Sequence, residues 1–295
     1  MKNFTVICPG PCNASCSFCT WKEERNPLHI GAYINKLICA IKKLPVSCKA
    51  VTVTGGEPTI SKYLEPILET IIHAKRFERV VLATNGSNLE ANRDLISNCI
   101  THLNISRHAE QESENKIIFG SNETLTDKQL SSNIEFFSKN SIPTRIVRVY
   151  KDEDNLTDQK IFDFVEYAKT IGAYSICFSR DYRLPISSAS EAEKNILKKY
   201  KPIADESCPV CYARVYLIRG IIVIFKSAAQ EPSESSGDVF EYIFHPNGVL
   251  SSDWESKNKV NLQPEHVTSD QRMKEMEGIK SCGSHANPFS IGGCK

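Results

Sequence analysis

Three cysteines lie close together in a loop that directly follows an apolar stretch of the chain. Residues 4–8 are predicted to form a β-strand, and Cys12, Cys16 and Cys19 follow at Cys-x3-Cys-x2-Cys spacing. Thiolates favour zinc, copper(I) or iron–sulfur clusters. Four thiolates would close a metal site, whereas three leave one coordination position open, which catalysis needs and a structural site avoids. The loop therefore predicts a metal centre after the first strand; half a zinc site or a disulfide knot is the alternative.

Strands and helices are predicted to alternate along the chain as far as Arg180. Such alternation is typical of an α/β fold with a parallel sheet and right-handed crossovers, in which the loops after the strands gather at one end and form the site. The predicted strands are residues 4–8, 50–54, 79–83, 102–106, 144–150 and 174–179. The predicted helices are residues 32–44, 63–74, 89–98, 126–139 and 158–171.

The alternation stops after Arg180, and the remaining chain has a different pattern. A helix is predicted over residues 188–200, and residues 212–226 and 239–250 are predicted to be two strands of a hairpin or small sheet. The last residues are too rich in glycine and proline to form a helix. We therefore expect a core domain of residues 1–185 and a small α+β appendage of residues 186–295.

Composition excludes several classes of function. The 295 residues carry a formal net charge of +1, which predicts neither a nucleic-acid partner nor an anionic-membrane partner. The sequence has no apolar run of transmembrane length and no signal-peptide layout at its start, so a cytoplasmic location is expected. Its 12 cysteines then favour a reducing compartment and metal chemistry over disulfides.

A second motif, Gly55-Gly56-Glu57-Pro58, follows the second predicted strand. Paired glycines allow the backbone to approach a ligand closely, and the carboxylate of Glu57 could accept hydrogen bonds from an ammonium group. The alternative is an ordinary turn with an exposed acid.

The two motifs together resemble the signature of the radical S-adenosylmethionine (SAM) enzymes. The resemblance implies a partial (β/α)6 barrel and a [4Fe–4S] cluster on Cys12, Cys16 and Cys19, with SAM chelating the fourth iron. It implies that Phe18 lies near the adenine of SAM. It also implies an electron donor of the flavodoxin or ferredoxin type. The residues that would receive the amino group of SAM are Gly55, Gly56, Glu57 and Pro58.

Polar residues follow the other predicted strands, where the resemblance implies contacts to SAM or substrate. Thr84 and Asn85 end the third strand and could instead form a plain Asn-Gly turn with Gly86. Ser106 and Arg107 end the fourth strand, at a position that commonly contacts the SAM ribose or carboxylate in such barrels; a solvated rim is the alternative.

Arginines occur on the fifth and sixth predicted strands. Arg145 and Arg148 lie on opposite faces of the fifth strand, and Arg180 ends the sixth. An arginine in such a strand is costly unless it is paired or faces a wet cavity. We therefore expect Arg145 and Arg180 to face the active site and to favour a polar or anionic substrate.

A second group of cysteines lies in the C-terminal part. Cys208 and Cys211 form a Cys-x2-Cys half-site, and Cys282 and Cys294 follow far downstream. These four residues could hold a second iron–sulfur cluster or zinc, or they could bind no metal.

Within the superfamily, the chain resembles the GTP 3′,8-cyclase family of molybdenum-cofactor synthesis. The similar segments are residues 145–168, residues 208–215 and the Gly292-Gly293 pair in the tail. Three features depart from that family. Residues 221–227 lack its third auxiliary cysteine, Arg145 takes a position usually held by asparagine, and Cys294 and Lys295 follow the glycine pair.

The resemblance implies cleavage of SAM and hydrogen abstraction from a small polar or anionic substrate, with cyclisation, dehydrogenation or rearrangement as the outcome. Cys294 is a candidate for donating hydrogen or quenching a radical. Two other classes stay open: an enzyme that modifies a peptide or protein, and a non-catalytic metal-binding module.

Overall fold

The computed structural model describes residues 2–19, 27–151, 154, 156–181, 194, 196, 198–203, 213–226, 239, 241–254, 256–260 and 262. Strands in this part are β1 Lys2–Cys8, β2 Cys48–Gly55, β3 Arg79–Thr84, β4 His102–Ser106, β5 Thr144–Tyr150, β6 Ser175–Arg180, β7 Ala213–Ile218, β8 Ile221–Lys226, β9 Glu241–Phe244 and β10 Leu250–Ser251. The α-helices are α1 Ile30–Lys43, α2 Leu64–His73, α3 Arg93–Cys99, α4 Glu112–Phe119, α5 Asp127–Lys139 and α6 Asp158–Thr170. Short 3₁₀ helices span Pro58–Ile60 and Glu90–Asn92.

The chain forms two compact units by its internal contacts. The first contains the described parts of residues 1–13, 19–102 and 232–283, and the second those of residues 14–18 and 103–231. The C-terminal strands pair with core strands of both units, since β9 lies beside β1 and β8 beside β6. The cysteine loop contributes to both units, since residues 14–18 group with the second unit and the residues on either side group with the first.

The strand order in the first unit is β10-β9-β1-β2-β3. Strands β9, β1, β2 and β3 are parallel, and β10 returns antiparallel to β9. Phe4 lies beside Val51, and both side chains are fully buried. Tyr33 of α1 donates a hydrogen bond to the carbonyl of Ile7 at 2.8 Å, and its ring lies 5.1 Å from that of Phe244. These contacts fix α1 against the ends of β1 and β9.

The opposite face of the first unit carries a polar network. Thr5 donates from its hydroxyl to Glu241 at 2.7 Å, and the Asn3 amide donates to the same carboxylate oxygen at 3.2 Å. Thr52 of β2 donates to the side-chain oxygen of Asn3 at 3.4 Å. Apolar residues therefore cover one face of these strands and hydrogen-bonded polar residues the other.

The strand order in the second unit is β4-β5-β6-β8-β7. Strands β4, β5, β6 and β8 are parallel, and β7 forms an antiparallel hairpin with β8. The rings of Phe178 and Phe225 stack at 5.1 Å, and Phe164 of α6 lies 5.6 Å from Phe178. On the opposite face, Cys177, Ile222 and Ile224 form a smaller apolar cluster.

The predicted α/β class with a parallel sheet is confirmed, and each of the six predicted core strands is present. Some local expectations were wrong. Residues 212–226 contain two strands, because Arg219 and Gly220 adopt positive φ values of 49° and 83° and reverse the chain. Residues 239–250 also contain two strands, β9 and β10, and these pair beside β1 and not with β7 or β8. Helix α4 was not expected. The helix predicted over residues 188–200 lies mostly outside the described residues, as does the tail.

Within the described residues, none of the helices has the length and apolar character needed to cross a membrane.

The N-terminus of α5 offers a test of local stability. Thr126 and Gln129 form a capping box, in which the Thr126 hydroxyl accepts from the Gln129 backbone and the Gln129 side chain accepts from the Thr126 backbone. Thr126→Ala should lower the free energy of unfolding by about 1 kcal/mol, because an N-cap is lost. Urea denaturation followed by circular dichroism measures this change.

Thr124→Val is the matched control. The Thr124 hydroxyl is buried without a hydrogen-bond partner, so its removal at constant shape should cost nothing. Equal losses in both variants would contradict the capping assignment.

Candidate active site

The ends of β1 and β2 lie side by side, with Cys8 opposite Gly55. Gly55 has a φ of 145°, and a Cβ atom there would overlap the carbonyl oxygen of Cys8. A Cβ atom on Gly56 would lie 2.6 Å from the carbonyl oxygen of Pro11 and 2.7 Å from that of Gly10. The two glycines are therefore required because the backbone of the cysteine loop packs directly against them.

Hydrogen bonds join the same two segments. The Glu57 backbone N–H donates to the carbonyl of Pro11 at 3.0 Å, and the Ser61 hydroxyl donates to the carbonyl of Pro9. The start of the cysteine loop is thus held by the turn that follows β2.

The carboxylate of Glu57 is 2% exposed and is surrounded by donors. Its Oε1 atom accepts from the Thr59 backbone at 2.9 Å, from the Thr59 hydroxyl at 2.6 Å and from the Thr84 hydroxyl. Its Oε2 atom accepts from the Asn85 backbone at 2.7 Å. Burial raises the pKa of Glu57, and these hydrogen bonds oppose that shift. The carboxylate therefore ties the turn after β2 to the end of β3.

Asn85 extends this network to the cysteine loop. Its side-chain amide donates to the side-chain oxygen of Asn13 at 2.9 Å, and its side-chain oxygen accepts from the Ser87 backbone at 2.9 Å. Thr84, which is also buried, accepts from the Gly86 backbone at 2.9 Å. The structure thus brings together Asn13, Glu57, Thr84 and Asn85.

Residues 14–18 of the cysteine loop pack within the second unit. The Ser15 backbone N–H donates to the carbonyl of Phe119 at 2.7 Å. The ring of Phe18 meets that of His108 edge-on, with the centroids 4.8 Å apart. Phe18 is half-buried, so one part of its ring is covered by the protein and another part is accessible.

Arg107 is 1% exposed, and its side chain donates within the protein. It donates to the backbone carbonyls of Ala109, Glu110 and Leu125 at 2.9–3.0 Å and to the carboxylate of Asp127 at 2.7 Å. These contacts join the loop that follows β4 to the residues at the start of α5. They favour a role for Arg107 in holding this loop over direct contact with a cofactor. Ser106 ends β4 and is half-buried.

Arg145 and Arg148 lie on opposite faces of β5, in agreement with strand alternation. Arg145 lies beside Asn104 of β4 and Ser175 of β6, and its Nε donates to the Ser175 hydroxyl at 3.2 Å. The Arg148 guanidinium lies 4.7 Å from the ring of Phe164.

Arg180 lies opposite Tyr150 in the strand register, and strand alternation places it on the face of β6 that does not carry Ser175. Arg145 and Arg180 are therefore on opposite faces of the sheet, and the structure does not bring them together.

The thiols of the cysteine loop are of the type that ligates iron–sulfur clusters, and they are accessible. Cys12 and Cys16 are half-buried and Cys19 is exposed, so their thiols can reach a ligand. By contrast, burial raises the pKa of Cys8 to about 12 and that of Cys48 to about 11, which keeps these thiols protonated. Across the described ranges, no three His, Cys, Asp or Glu side chains are grouped in a way that could hold a metal ion in this structure.

The second group of cysteines, Cys208, Cys211, Cys282 and Cys294, lies outside the described residues.

Three residues of the site were missed from the sequence: Asn13, His108 and Asn115. His108 follows Arg107 at the end of β4, so its position could have indicated a role. The Asn13 bond to Asn85 joins residues 72 positions apart, whereas the Asn115 bond to the His108 backbone spans seven positions and depends on where α4 begins. No local pattern signals such contacts.

The packing of Gly56 against the cysteine loop gives a direct test. Gly56→Ala should prevent the loop from loading iron, because the added methyl group meets two backbone carbonyls that cannot move aside as a side chain would. Gly31→Ala is the control, since a Cβ atom on Gly31 in α1 has no neighbour within 4 Å. Iron and sulfide per chain after anaerobic reconstitution measure the effect. Equal loading in both variants would contradict the steric argument.

Comparison with curated proteins gives relatives that share one activity in their names. The chain is 32% identical over 117 residues to the GTP 3′,8-cyclase of Haemophilus ducreyi, covering 38% of this chain and 34% of the relative. It is 26% identical over 161 residues to the GTP 3′,8-cyclase of Clostridium perfringens, covering 53% and 48%. The chain thus spans about a third to a half of the length of these relatives. No protein-family model matches the chain.

Among solved structures, the chain is similar to Streptococcus suis SuiB bound to S-adenosylmethionine. The TM-score is 0.50 at 13% sequence identity, and the match covers 66% of this chain and 44% of SuiB. At this identity the likeness concerns the fold alone, and it agrees with the expected α/β fold with a parallel sheet. The similarity in sequence and the similarity in fold agree with the two motifs, and the chain resembles the GTP 3′,8-cyclases and, more broadly, the radical SAM enzymes.

Proposed function

We propose that this protein cleaves SAM reductively and uses the product to abstract hydrogen from a small polar or anionic substrate. When bound, a [4Fe–4S] cluster and SAM supply the 5′-deoxyadenosyl radical for this reaction. The observation that supports the proposal most is the packing of Gly55 and Gly56 against residues 8–11, since it holds the Gly-Gly-Glu turn directly beside the start of the cysteine loop.

Different residues of the chain are proposed to bind the cluster and SAM. Cys12, Cys16 and Cys19 hold the cluster through their thiolates. The backbone of Gly55 and Gly56 and the carboxylate of Glu57 form the part of the site for the SAM amino group, while Thr84 and Asn85 fix that carboxylate by hydrogen bonds. Phe18, Pro58 and Ser106 are also proposed to contact SAM. Arg107 is proposed to act indirectly, by holding the loop after β4.

Arg145 supports a polar or anionic substrate. It lies on β5 in a polar row with Asn104 and Ser175, next to the apolar cluster around Cys177. Burial lowers the pKa of Arg145, although a guanidinium stays charged at ordinary pH. A buried cation on this face would attract a phosphate or carboxylate. The name GTP 3′,8-cyclase of the relatives supports the same class of substrate.

The C-terminal part has a proposed role that rests on its sequence. Cys208, Cys211, Cys282 and Cys294 would hold a second iron–sulfur cluster or zinc. Cys294 is proposed to act on the substrate, whereas Arg180 lies on the face of β6 opposite to that of Arg145 and is assigned no contact with the same substrate. A flavodoxin- or ferredoxin-type protein would supply the electron.

A peptide substrate is the second candidate. SuiB, whose fold this chain shares, has been crystallised with a precursor peptide, SuiA. A peptide substrate would need an extended binding surface, whereas a small anion needs only a few charged or polar groups such as Arg145 and its neighbours Asn104 and Ser175.

Iron content and SAM cleavage test the proposal together. The unaltered protein, reconstituted anaerobically and reduced with dithionite, should form 5′-deoxyadenosine from SAM. A Cys12→Ala/Cys16→Ala/Cys19→Ala variant should form none and should lose about four irons per chain. Iron that the triple variant keeps would belong to a second cluster at the C-terminal cysteines. The control variant is Cys39→Ala/Cys99→Ala, which alters thiols away from the loop and should keep full activity.

An unaltered protein that binds zinc but neither iron nor SAM would contradict the proposal and favour a non-catalytic metal-binding module.

The role of Arg145 is tested with defined probes. Anionic small molecules, with GTP as the first probe, should increase the rate of 5′-deoxyadenosine formation in the unaltered protein. Arg145→Gln should reduce this stimulation roughly ten- to hundredfold, since a charged hydrogen bond contributes about 1.5–3 kcal/mol. The rate without substrate should stay unchanged. Arg219→Gln is the control, because Arg219 lies in the exposed β7–β8 turn.

Stimulation by peptides but by no anionic small molecule would contradict the assignment of substrate class. Unchanged stimulation in Arg145→Gln would contradict the role of Arg145.

A further inference from the structure

The ring of His108 is enclosed by aromatic side chains from two segments. Its centroid lies 4.8 Å from that of Phe18 in the cysteine loop and 4.9 Å from that of Phe119 at the end of α4. The side chain is 4% exposed. His108 is therefore the neighbour against which the buried part of Phe18 rests.

Hydrogen bonds fix the orientation of this ring. Nδ1 of His108 accepts from the backbone N–H of Val149 at 3.1 Å, so Nε2 carries the ring hydrogen. The His108 backbone N–H donates to the side-chain oxygen of Asn115 at 2.8 Å. The bond from Val149 of β5 thus holds the imidazole, which cannot rotate without losing it, and the bond to Asn115 of α4 holds the His108 backbone.

The electrostatic surroundings keep the ring neutral. Burial lowers the pKa of His108 to about 3, and the nearby cations Arg148 and Arg107 act in the same direction. A neutral ring in a fixed tautomer offers Phe18 a constant edge-to-face contact, which is a favoured aromatic geometry.

We propose that His108 is a positioning residue that holds the Phe18 ring so that its accessible part presents a fixed surface to the adenine of SAM. The inference rests on the proposed function, because Phe18 is assigned to the adenine by resemblance. It adds a residue outside both motifs, and it explains why a histidine between two phenylalanines is anchored to the backbone of β5.

Two substitutions separate the ring contact from the hydrogen bond. His108→Phe keeps an aromatic ring against Phe18 but loses the acceptor for Val149, whereas His108→Gln keeps a polar acceptor but loses the ring. SAM affinity is measured by equilibrium dialysis on the reconstituted, unreduced protein. His108→Gln should bind SAM roughly three- to tenfold more weakly. His108→Phe should fall between His108→Gln and the unaltered protein, because it keeps the ring contact but loses the bond that orients the ring.

His102→Gln is the matched control. His102 is a buried histidine at the other end of β4, so its substitution should leave SAM affinity unchanged. Iron content is measured for every variant, which shows whether the cluster loop is intact.

A double-mutant cycle tests that His108 acts through Phe18. Phe18→Leu should weaken SAM binding, and adding His108→Gln should then have little further effect, because the contact is already lost. Additive losses would contradict the inference, as would unchanged affinity in His108→Gln. If the His108→Gln variant fails to load iron, Phe119→Leu takes its place in the cycle. The Phe119→Leu substitution removes a ring that packs on His108 but keeps the Val149 bond. Additive losses or an unchanged affinity would again contradict the inference.

An unaltered, iron-loaded protein that binds no SAM would contradict the proposed function itself, and that result is distinct from a failure of the His108 variants alone.

Discussion

The contact between the Gly55-Gly56 backbone and residues 8–11 is the constraint on which the rest of the site depends. No side chain fits between the two segments, because added Cβ atoms would meet backbone carbonyls of the cysteine loop. The two neighbouring parallel strands therefore end in loops that touch directly. The loop that carries the thiols and the turn that carries Glu57 are held at one place by backbone packing, before any cofactor contributes.

The regular elements of the core could be predicted from the sequence, because their apolar residues follow the period of a strand or a helix. Helix α4 could not, since the first five residues of the segment Glu112–Phe119 are all polar and only Phe119 among its apolar residues is buried. The β7–β8 hairpin could not be predicted for a different reason. Its strands form an almost continuous apolar run, and only the positive φ of Arg219 and Gly220 marks the reversal.

The candidate site was predictable as a set of positions but not as a set of contacts. Position at a strand end suggested that Glu57 is either an exposed acid or a ligand acceptor, yet its carboxylate is buried under four donors. Its position at a strand end likewise suggested that Arg107 faces a cofactor. Its guanidinium N–H groups instead donate to backbone carbonyls and to the carboxylate of Asp127. The partners of such groups come from distant segments, and sequence spacing does not specify them.

These buried polar groups have a common physical effect. A buried cation or carboxylate that is surrounded by partners is costly to move, since each displaced hydrogen bond would leave a polar group without water. Glu57 therefore makes the turn after β2 rigid, and Arg107 does the same for the loop after β4. In the cysteine loop, Phe18 and the three cysteines keep at least part of their surface accessible. A site that keeps one metal position open must hold its other three ligands through the protein alone. Here the rigid segments fix the backbone on which Cys12 and its neighbours lie, while the three thiols are not grouped around one point in the described part of the chain.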